Sequence, residues 1–394
     1  MMVSIMGKDV GPVHTDNLIV TPSGAPGLGF ECCPNKATAL HNHRFHVEAF
    51  CREPWLFSSP LFKYMHKKEA LPKDKILLST GRPIIYPPLD FYILQAMYTQ
   101  ELDDHLKKDV PWFFCGHTPY MGGFDKIATH LNEFRYKFKG DISKMDASIS
   151  SDLFRVIAEF RKCCMPKDCH PFIDYIYSTL SSKFVVFPDS TAVHDTRQPS
   201  GSRTTTTDDT IAHMFAVLLG VLRRFKELDI PYRPDLVLQY CRFCSYADDH
   251  IAGTDDPVFA SFSYREKFYA DCGFTLKKDD DLVTLDVSDL TFLGGKFHLN
   301  NGFYVYAYSD MDKLVDTLYT HKYTSIADLL SSVYSRIFIT ATSPNDYSKW
   351  CMLYDELRKR YAPSSPIRPA TYSILSFLRG TESISHVPTF AVIF

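Results

Sequence analysis

The stretch SYADDHIAG, residues 245–253, decides how this chain is read. Two adjacent aspartates, Asp248 and Asp249, form an acidic corner between apolar runs at 236–246 and 250–252, both expected to be extended. In a hairpin this puts both carboxylates at one exposed tip, where their repulsion is costly unless a cation joins them. Taken alone, the pair fits a solvated turn as well as a metal site. A two-metal centre needs a further oxygen ligand, because hard Mg²⁺ prefers carboxylates together with phosphate oxygens.

DISKMDASIS, residues 141–150, offers that ligand in Asp141, with Asp146 five residues later. If 141–145 is a strand running into a turn, the two aspartates need not share a face. One can serve a metal and the other a ligand beside it. A helix-capping loop, with Asp146 and Ser148 as caps, is the plainer alternative. The third element is QPSGSRTTTTDDT, residues 198–210. Ser200-Gly201 permits a tight, adjustable turn. The hydroxyls and Asp209 stand at the entrance of an apolar helix expected over 211–225. Free N–H groups and hydroxyls there can bind a sugar or phosphate, or simply cap the helix.

The rest of the chain sets the scale. Its 394 residues, 45% hydrophobic and 14% aromatic, supply a large core divided among two or three subdomains. Lys plus Arg number 43 against 46 Asp plus Glu, so the net charge of −3 leans away from a nucleic-acid partner unless basic groups are gathered locally. Candidates for such gathering are Lys67-Lys68, Lys107-Lys108, Arg135 with Lys137 and Lys139, Arg223-Arg224 and Arg358-Lys359-Arg360; each alone is equally an ordinary solvated face. Eleven cysteines without framework spacing point to free thiols in a reducing compartment. The longest apolar run, 214–222, is far short of the roughly 20 residues a membrane span requires, and no signal peptide is expected.

Periodicity predicts helices over 91–105, 153–163, 172–180 and 264–272, and three more between 310 and 361. Strands are expected at 184–187, 292–299 and 303–308, the last two around the turn Asn300-Asn301-Gly302. A mixed strand–helix middle and a helical end imply a sheet platform with a separate helical subdomain. Two groups hold enough ligands for zinc: His41, His43, His46 and Cys51, and Cys163, Cys164, Cys169 and His170. Neither has structural-zinc spacing, and Cys241 and Cys244 read as core residues of a strand.

In this order the three acidic elements resemble motifs A, B and C of the RNA-dependent RNA polymerases of positive-strand RNA viruses, in the picorna-, calici-, astro- and sobemo-like groups. Fifty-four positions separate Asp146 from Ser200, and 48 separate Ser200 from Asp248. CGFTLKKDD (272–280) and FLGGKF (292–297) resemble motifs D and E, and 73–86 around Arg82-Pro83-Ile84 resembles the basic finger motif F. The likeness covers 73–308. It implies an α+β right hand with fingers, an antiparallel-sheet palm and a helical thumb. The expected divisions are arm and fingers 1–135, palm 136–178, a return to the fingers and motif B loop at 179–203, palm again 204–299, and thumb 300–394.

The resemblance implies RNA-templated RNA synthesis from NTPs. Asp141 and Asp248 would bind two Mg²⁺, with Mn²⁺ as a substitute and Asp249 assisting. Asp146, Thr205 and Asp209 would lie near the ribose, Ser200 and Gly201 in a loop that adjusts on nucleotide binding, and Arg82 at the triphosphate. Lys277 or Lys278 would protonate leaving pyrophosphate, and Lys296 would approach the primer. The implied partners are an RNA template, the nascent strand and other viral replication proteins, in membrane-associated complexes of the host cytoplasm. Three departures stand out. Ala247 replaces the customary glycine, Asp209 replaces an asparagine that pairs with the Asp146 position, and the amino-terminal arm is short. Two facing carboxylates repel unless one is protonated or a water, a cation or Arg203 intervenes.

Reverse transcriptases also carry YxDD, but no aromatic follows Asp141 to exclude a 2′-hydroxyl, and motif B lacks their Gln-Gly and Ser-Pro. An inactive RNA-binding scaffold is the non-enzyme alternative; all three key aspartates are present, which argues against it.

Overall fold

The computed structural model describes residues 10–67, 81–110, 112–120, 122–320, 323 and 325–361. The described residues divide into two units, one holding 10–67, 81–117 and 138–283, the other 118–137 and 284–361.

In the first unit, β1 (Leu61–His66), β2 (Pro83–Tyr86), β4 (Lys183–Val186) and β5 (Ala192–Asp195) make a sheet of order β2-β1-β4-β5. A second sheet, of order β6-β7-β3-β8, is built from β3 (Tyr136–Asp141), β6 (Cys241–Tyr246), β7 (Asp249–Thr254) and β8 (Leu282–Thr284). β6 and β7 are an antiparallel hairpin closing on the pair Tyr246–Asp249.

Helices back these sheets. The helix Ser151–Cys163 starts where the Ser150 hydroxyl accepts the Leu153 N–H at 3.3 Å, and it buries Leu153, Phe154, Ile157 and Ala158. The long helix Thr205–Glu227 buries Ile211, Ala212, Ala216, Val217, Val221 and Phe225, each large aliphatic or aromatic contributing about 1.5–3 kcal/mol. At Gly220 this helix runs against the helix Phe262–Asp271 so closely that a Cβ would sit 2.5 Å from Phe268 Cδ1.

Four local expectations need correction. The 236–246 run is not one strand: Pro234–Tyr240 is helical and only Cys241–Tyr246 is extended. Pro234, whose missing N–H costs nothing in a first helical turn, is the signal that marks it. The helix expected from 211 begins at Thr205, so its hydroxyls and acids lie inside it. Their poor intrinsic helix propensity is overridden by buried partners described below. The 292–299 run is split into β9 (Thr291–Phe292) and β10 (Gly295–Asn300) by left-handed Leu293 (φ 51°) and Gly294 (φ 76°). The last helix starts at Pro344, six residues before Trp350.

The second unit contains the sheet β11-β10-β9, with β11 at Phe303–Tyr308. Asn301 (φ 48°) and Gly302 (φ 86°) make the tight β10–β11 turn, as Asn-Gly predicts. The helix Gly123–Asn132 lies on this sheet, Phe124 stacking on Phe297 with ring centres 4.2 Å apart. The helices Met311–Thr320, Ile326–Ile339 and Pro344–Tyr361 share a core of Leu314, Leu330, Val333, Tyr334, Ile337, Phe338, Trp350 and Tyr354. Among the described residues no helix is long and apolar enough to cross a membrane.

Candidate active site

Three chain segments meet at the end of β3. The Ile142 N–H donates to the Asp248 carbonyl at 3.1 Å, the Ser143 N–H to Thr275 at 2.8 Å, and the Lys277 N–H to the Asp141 carbonyl at 2.9 Å. These bonds bring Asp141, Asp248 and Lys277 together. Lys277 Nζ lies 2.8 Å from Asp141 Oδ1. Burial pushes the Asp141 carboxyl above its usual range, and the charge of Asp248 adds to this while Lys277 opposes it. Asp248 is raised for the same first reason, against the pull of Lys277 and Arg82. The acidic tip is therefore half-buried rather than exposed. Oxygen-only donors, partly dehydrated and held together against repulsion, fit a hard divalent cation. Asp249, the first residue of β7, is half-buried and outside the leading charges that act on Asp141 and Asp248.

The turn before Asp248 is strained. Ala247 has φ 51°, a left-handed conformation that costs an L-residue roughly 1–2 kcal/mol. Its backbone is held from outside on both sides: the N–H donates to Thr210 Oγ1 at 2.9 Å, and the carbonyl accepts from His213 Nδ1 at 2.7 Å. Because Nδ1 is the donor, Nε2 accepts the Tyr269 hydroxyl at 2.8 Å. Burial lowers His213 to about 4, so the ring is neutral at physiological pH. His250 packs on His213, and burial lowers its pKa well below the usual value. A Cβ on Gly140 would sit 2.6 Å from His250 Cε1, so β3 can approach the turn only with glycine there. Sequence reading missed Thr210, His213, Tyr269 and His250. The available signal was helical spacing, since Thr210 and His213 lie one turn apart beside Asp209.

Asp146 is separated from Asp141 by left-handed Lys144 (φ 52°) and lies in the single turn Met145–Ser148. Its carboxyl is raised by burial first, with a hydrogen bond from Asp209 and the charge of Arg82 opposing. Asp209 is fully buried and lies well above the usual range, because of desolvation first and the Asp146 charge second. Burial and the facing Asp146 charge both favour the protonated form of Asp209, which could then donate to Asp146. Of the ways to relieve two facing carboxylates, this direction favours protonation, and Arg203 donates instead to Gln100 at 3.3 Å. Gln198, whose N–H donates to the Asp146 carbonyl at 2.9 Å, is buried with no hydrogen-bond partner on either amide atom.

The motif B loop is stitched to β2. Ser200 Oγ donates to the Pro83 carbonyl at 3.2 Å and accepts the Ile85 N–H at 3.3 Å, while the Gly201 N–H donates to Ile85 at 2.8 Å. A Cβ on Gly201 would sit 2.7 Å from Tyr86 Cβ. Thr205 Oγ1 donates to the Pro199 carbonyl at 2.7 Å, so this hydroxyl braces the loop and can meet a ribose only as an acceptor. Arg82 is exposed, its charge acting on Asp146 and Asp248. Lys278 is exposed, whereas Lys277 is half-buried on Asp141. Lys296 is exposed on β10 of the second unit. Lys68 and the 73–80 part of the expected finger motif lie outside the described residues.

Beneath the loop, fully buried Arg161 pairs with Asp103 at 2.9 Å and Asp208 at 2.7 Å, and the Tyr177 hydroxyl donates to Asp208 at 2.8 Å. This cluster explains why Thr205–Asp209 is helical. The two candidate zinc groupings, which spacing did not favour, do not assemble among the described residues. Cys51 Sγ points to the Asp90 carbonyl and His46 pairs with the Asp90 carboxylate at 3.2 Å, while His170 Nε2 bonds the Lys162 carbonyl at 3.0 Å. Cys241 and Cys244 are buried in the core as expected.

The fold that carries these residues is that of a right-hand polymerase. A family model described as viral RNA-dependent RNA polymerase matches residues 56–342. The chain belongs to that family, whose members generally use divalent metal ions. It is 22% identical over 269 residues to the genome polyprotein of Plum pox potyvirus (strain El amar), covering 66% of this chain and 17% of that protein. It is 25% identical over 205 residues to the non-structural polyprotein 1AB of Turkey astrovirus 2, covering 49% of this chain and 12% of that protein. The chain thus spans less than a quarter of the length of these curated relatives. A solved structure, the Sicinivirus 3Dpol RNA-dependent RNA polymerase, is similar with a TM-score of 0.70 at 15% identity, covering 95% of this chain and 83% of that one.

Proposed function

We propose that this chain extends an RNA strand on an RNA template, joining the 3′-hydroxyl to the α-phosphate of an incoming NTP during viral genome replication. The observation that carries this reading is the convergence of Asp141, Asp248 and Lys277, with the Asp146–Asp209 pair beside them. Asp141 and Asp248, with Asp249 alongside, would hold two Mg²⁺, which when bound supply activation of the hydroxyl and neutralisation of the triphosphate. Lys277 stands within reach of the same locus and would deliver a proton to departing pyrophosphate. Arg82 would bind the triphosphate. Asp146, its second oxygen available while Asp209 donates to the first, would accept the ribose 2′-hydroxyl. Ser200 and Gly201 would shift against β2 as nucleotide enters, and Lys296 would contact the primer strand.

The division into fingers (1–135 and 179–203), palm (136–178 and 204–299) and thumb (300–394) belongs to this proposal. So does work in membrane-associated complexes of the host cytoplasm, reached through partner replication proteins.

The test is template-directed incorporation with Mg²⁺. Asp248→Asn should abolish it while leaving the circular dichroism and RNA binding of the wild type. Near-normal incorporation by that variant would overturn the site, and a preference for deoxynucleotides would overturn the ribose assignment.

A further inference from the structure

One cluster of metal-binding atoms lies far along the chain from the carboxylates, in the irregular segment before the first helices. Cys32 Sγ is 3.7 Å from Cys33 Sγ and 3.7 Å from His43 Nε2, and the three ligand atoms all lie within 4.8 Å of one another. A tetrahedral ion with Zn–S of about 2.3 Å and Zn–N of about 2.0–2.1 Å separates two sulfurs by about 3.8 Å and a sulfur from a nitrogen by about 3.6 Å. The two spacings from Cys32 lie within about 0.1 Å of those edges, and the third pair lies within 4.8 Å. What sets the group apart is that three ligand atoms from two segments, two thiols and an imidazole, converge on one point.

The local backbone explains how ligands adjacent in sequence and ligands ten residues apart reach one point. Gly27 (φ 89°) and Gly29 (φ 83°) fold the chain back, and the Cys33 N–H closes a turn on the Phe30 carbonyl at 3.0 Å. His43 sits at the joint between the helices Lys36–Asn42 and Arg44–Arg52, as the C-cap of one and N-cap of the other. The Phe30 ring stands edge-on to His43, 5.4 Å between centres, and Asn42 Nδ2 approaches Cys33 Sγ at 3.9 Å. Cys33 is buried and Cys32 is exposed, so three protein ligands leave a fourth position open to water.

We propose that Cys32, Cys33 and His43 bind one Zn²⁺, which clips the irregular segment to the helical joint. Two thiolates and one imidazole are soft-to-borderline donors, so this ion is of a different class from the hard cation suited to the carboxylates. The clip closes the loop from Cys32 to His43 in a stretch that has no sheet to hold it.

The full chain is exchanged into buffer with trace zinc, desalted and assayed for bound metal. It should retain one equivalent of zinc, and Co²⁺ in its place should show thiolate charge-transfer and tetrahedral d–d absorption. Cys32→Ser and His43→Gln should each weaken retention by more than about tenfold, with helix content and nucleotide incorporation kept. Cys163→Ser, which alters an exposed thiol outside the cluster, should retain the full equivalent. A wild type that retains no zinc, variants that retain it fully, or a Cys32–Cys33 disulfide found by mass spectrometry in the reduced preparation would overturn the site.

Discussion

Replacing Asp209 by asparagine tests how this protein carries two carboxylates where one negative charge is tolerable. Asp209 is fully buried and hydrogen-bonded to Asp146. Were both ionised, two unit charges about 4 Å apart would repel by about 4 kcal/mol at an effective dielectric of about 20. Burial adds to this repulsion, and both push the Asp209 carboxyl upward, toward the protonated form. Asp209→Asn supplies a permanent N–H donor in place of the carboxylic O–H, so incorporation near neutral pH should stay within about threefold of wild type. Asp209→Ala removes a charge-assisted bond of about 1.5–3 kcal/mol, and should lose about 10-fold to 150-fold in incorporation or in preference for ribonucleotides.

The pH dependence has a definite sign. The Asp209 value in the folded protein lies above its ordinary 3.8, so this group's contribution to stability is fully present below that ordinary value and is lost as pH rises through the raised one. The asparagine variant lacks this slope, so its stability relative to wild type should grow with pH. Urea unfolding and single-nucleotide incorporation from about pH 5 to about pH 9 would measure both. A constant stability difference across that range, or an asparagine variant as impaired as the alanine one, would refute the shared-proton account.

Lys277→Ala should lower the rate of the chemical step by about 100-fold or more in rapid-quench measurements, while Lys278→Ala stays within about threefold; the reverse order would reassign the proton donor. Arg161→Met leaves Asp103 and Asp208 buried without their cation and should cost about 3–5 kcal/mol in urea unfolding; a loss under about 1 kcal/mol would show that the cluster is dispensable. Ala247→Gly exchanges left-handed strain for added freedom of the unfolded chain, terms of similar size, so its melting temperature and incorporation should stay near wild type. His213→Leu, which removes the donor to the Ala247 carbonyl, should lower incorporation more than about tenfold.

The ordered acidic elements were legible in sequence because each is written within ten or so residues: Asp141 and Asp146, Ser200 and Gly201, Asp248 and Asp249. Amphipathic helices such as Ser151–Cys163 were equally plain, since their buried positions repeat at the helical period. What stayed hidden depends on contacts between distant segments. Nothing in TTTTDDT says that Asp208 meets Arg161, so the apolar pattern marks the helix only from Ile211, six residues after its true start. The choice of Lys277 over Lys278 as neighbour of Asp141 follows from a backbone bond between β3 and the 274–278 segment, not from the motif. Likewise Cys32 and Cys33 join His43 through two glycine-permitted folds, while spacing alone grouped His43 with Cys51.

The left-handed alanine has a consequence for how this catalytic turn can vary. Its backbone is fixed at the N–H by Thr210 and at the carbonyl by His213, both on a helix that precedes it in the chain. The instruction that aims Asp248 is thus stored outside the turn, in the face of a helix otherwise read as the nucleotide-selecting element. Changes at 210 or 213 are in effect changes to the setting of Asp248. Their effects should combine with those at 247 as one inherited unit rather than as three independent sites.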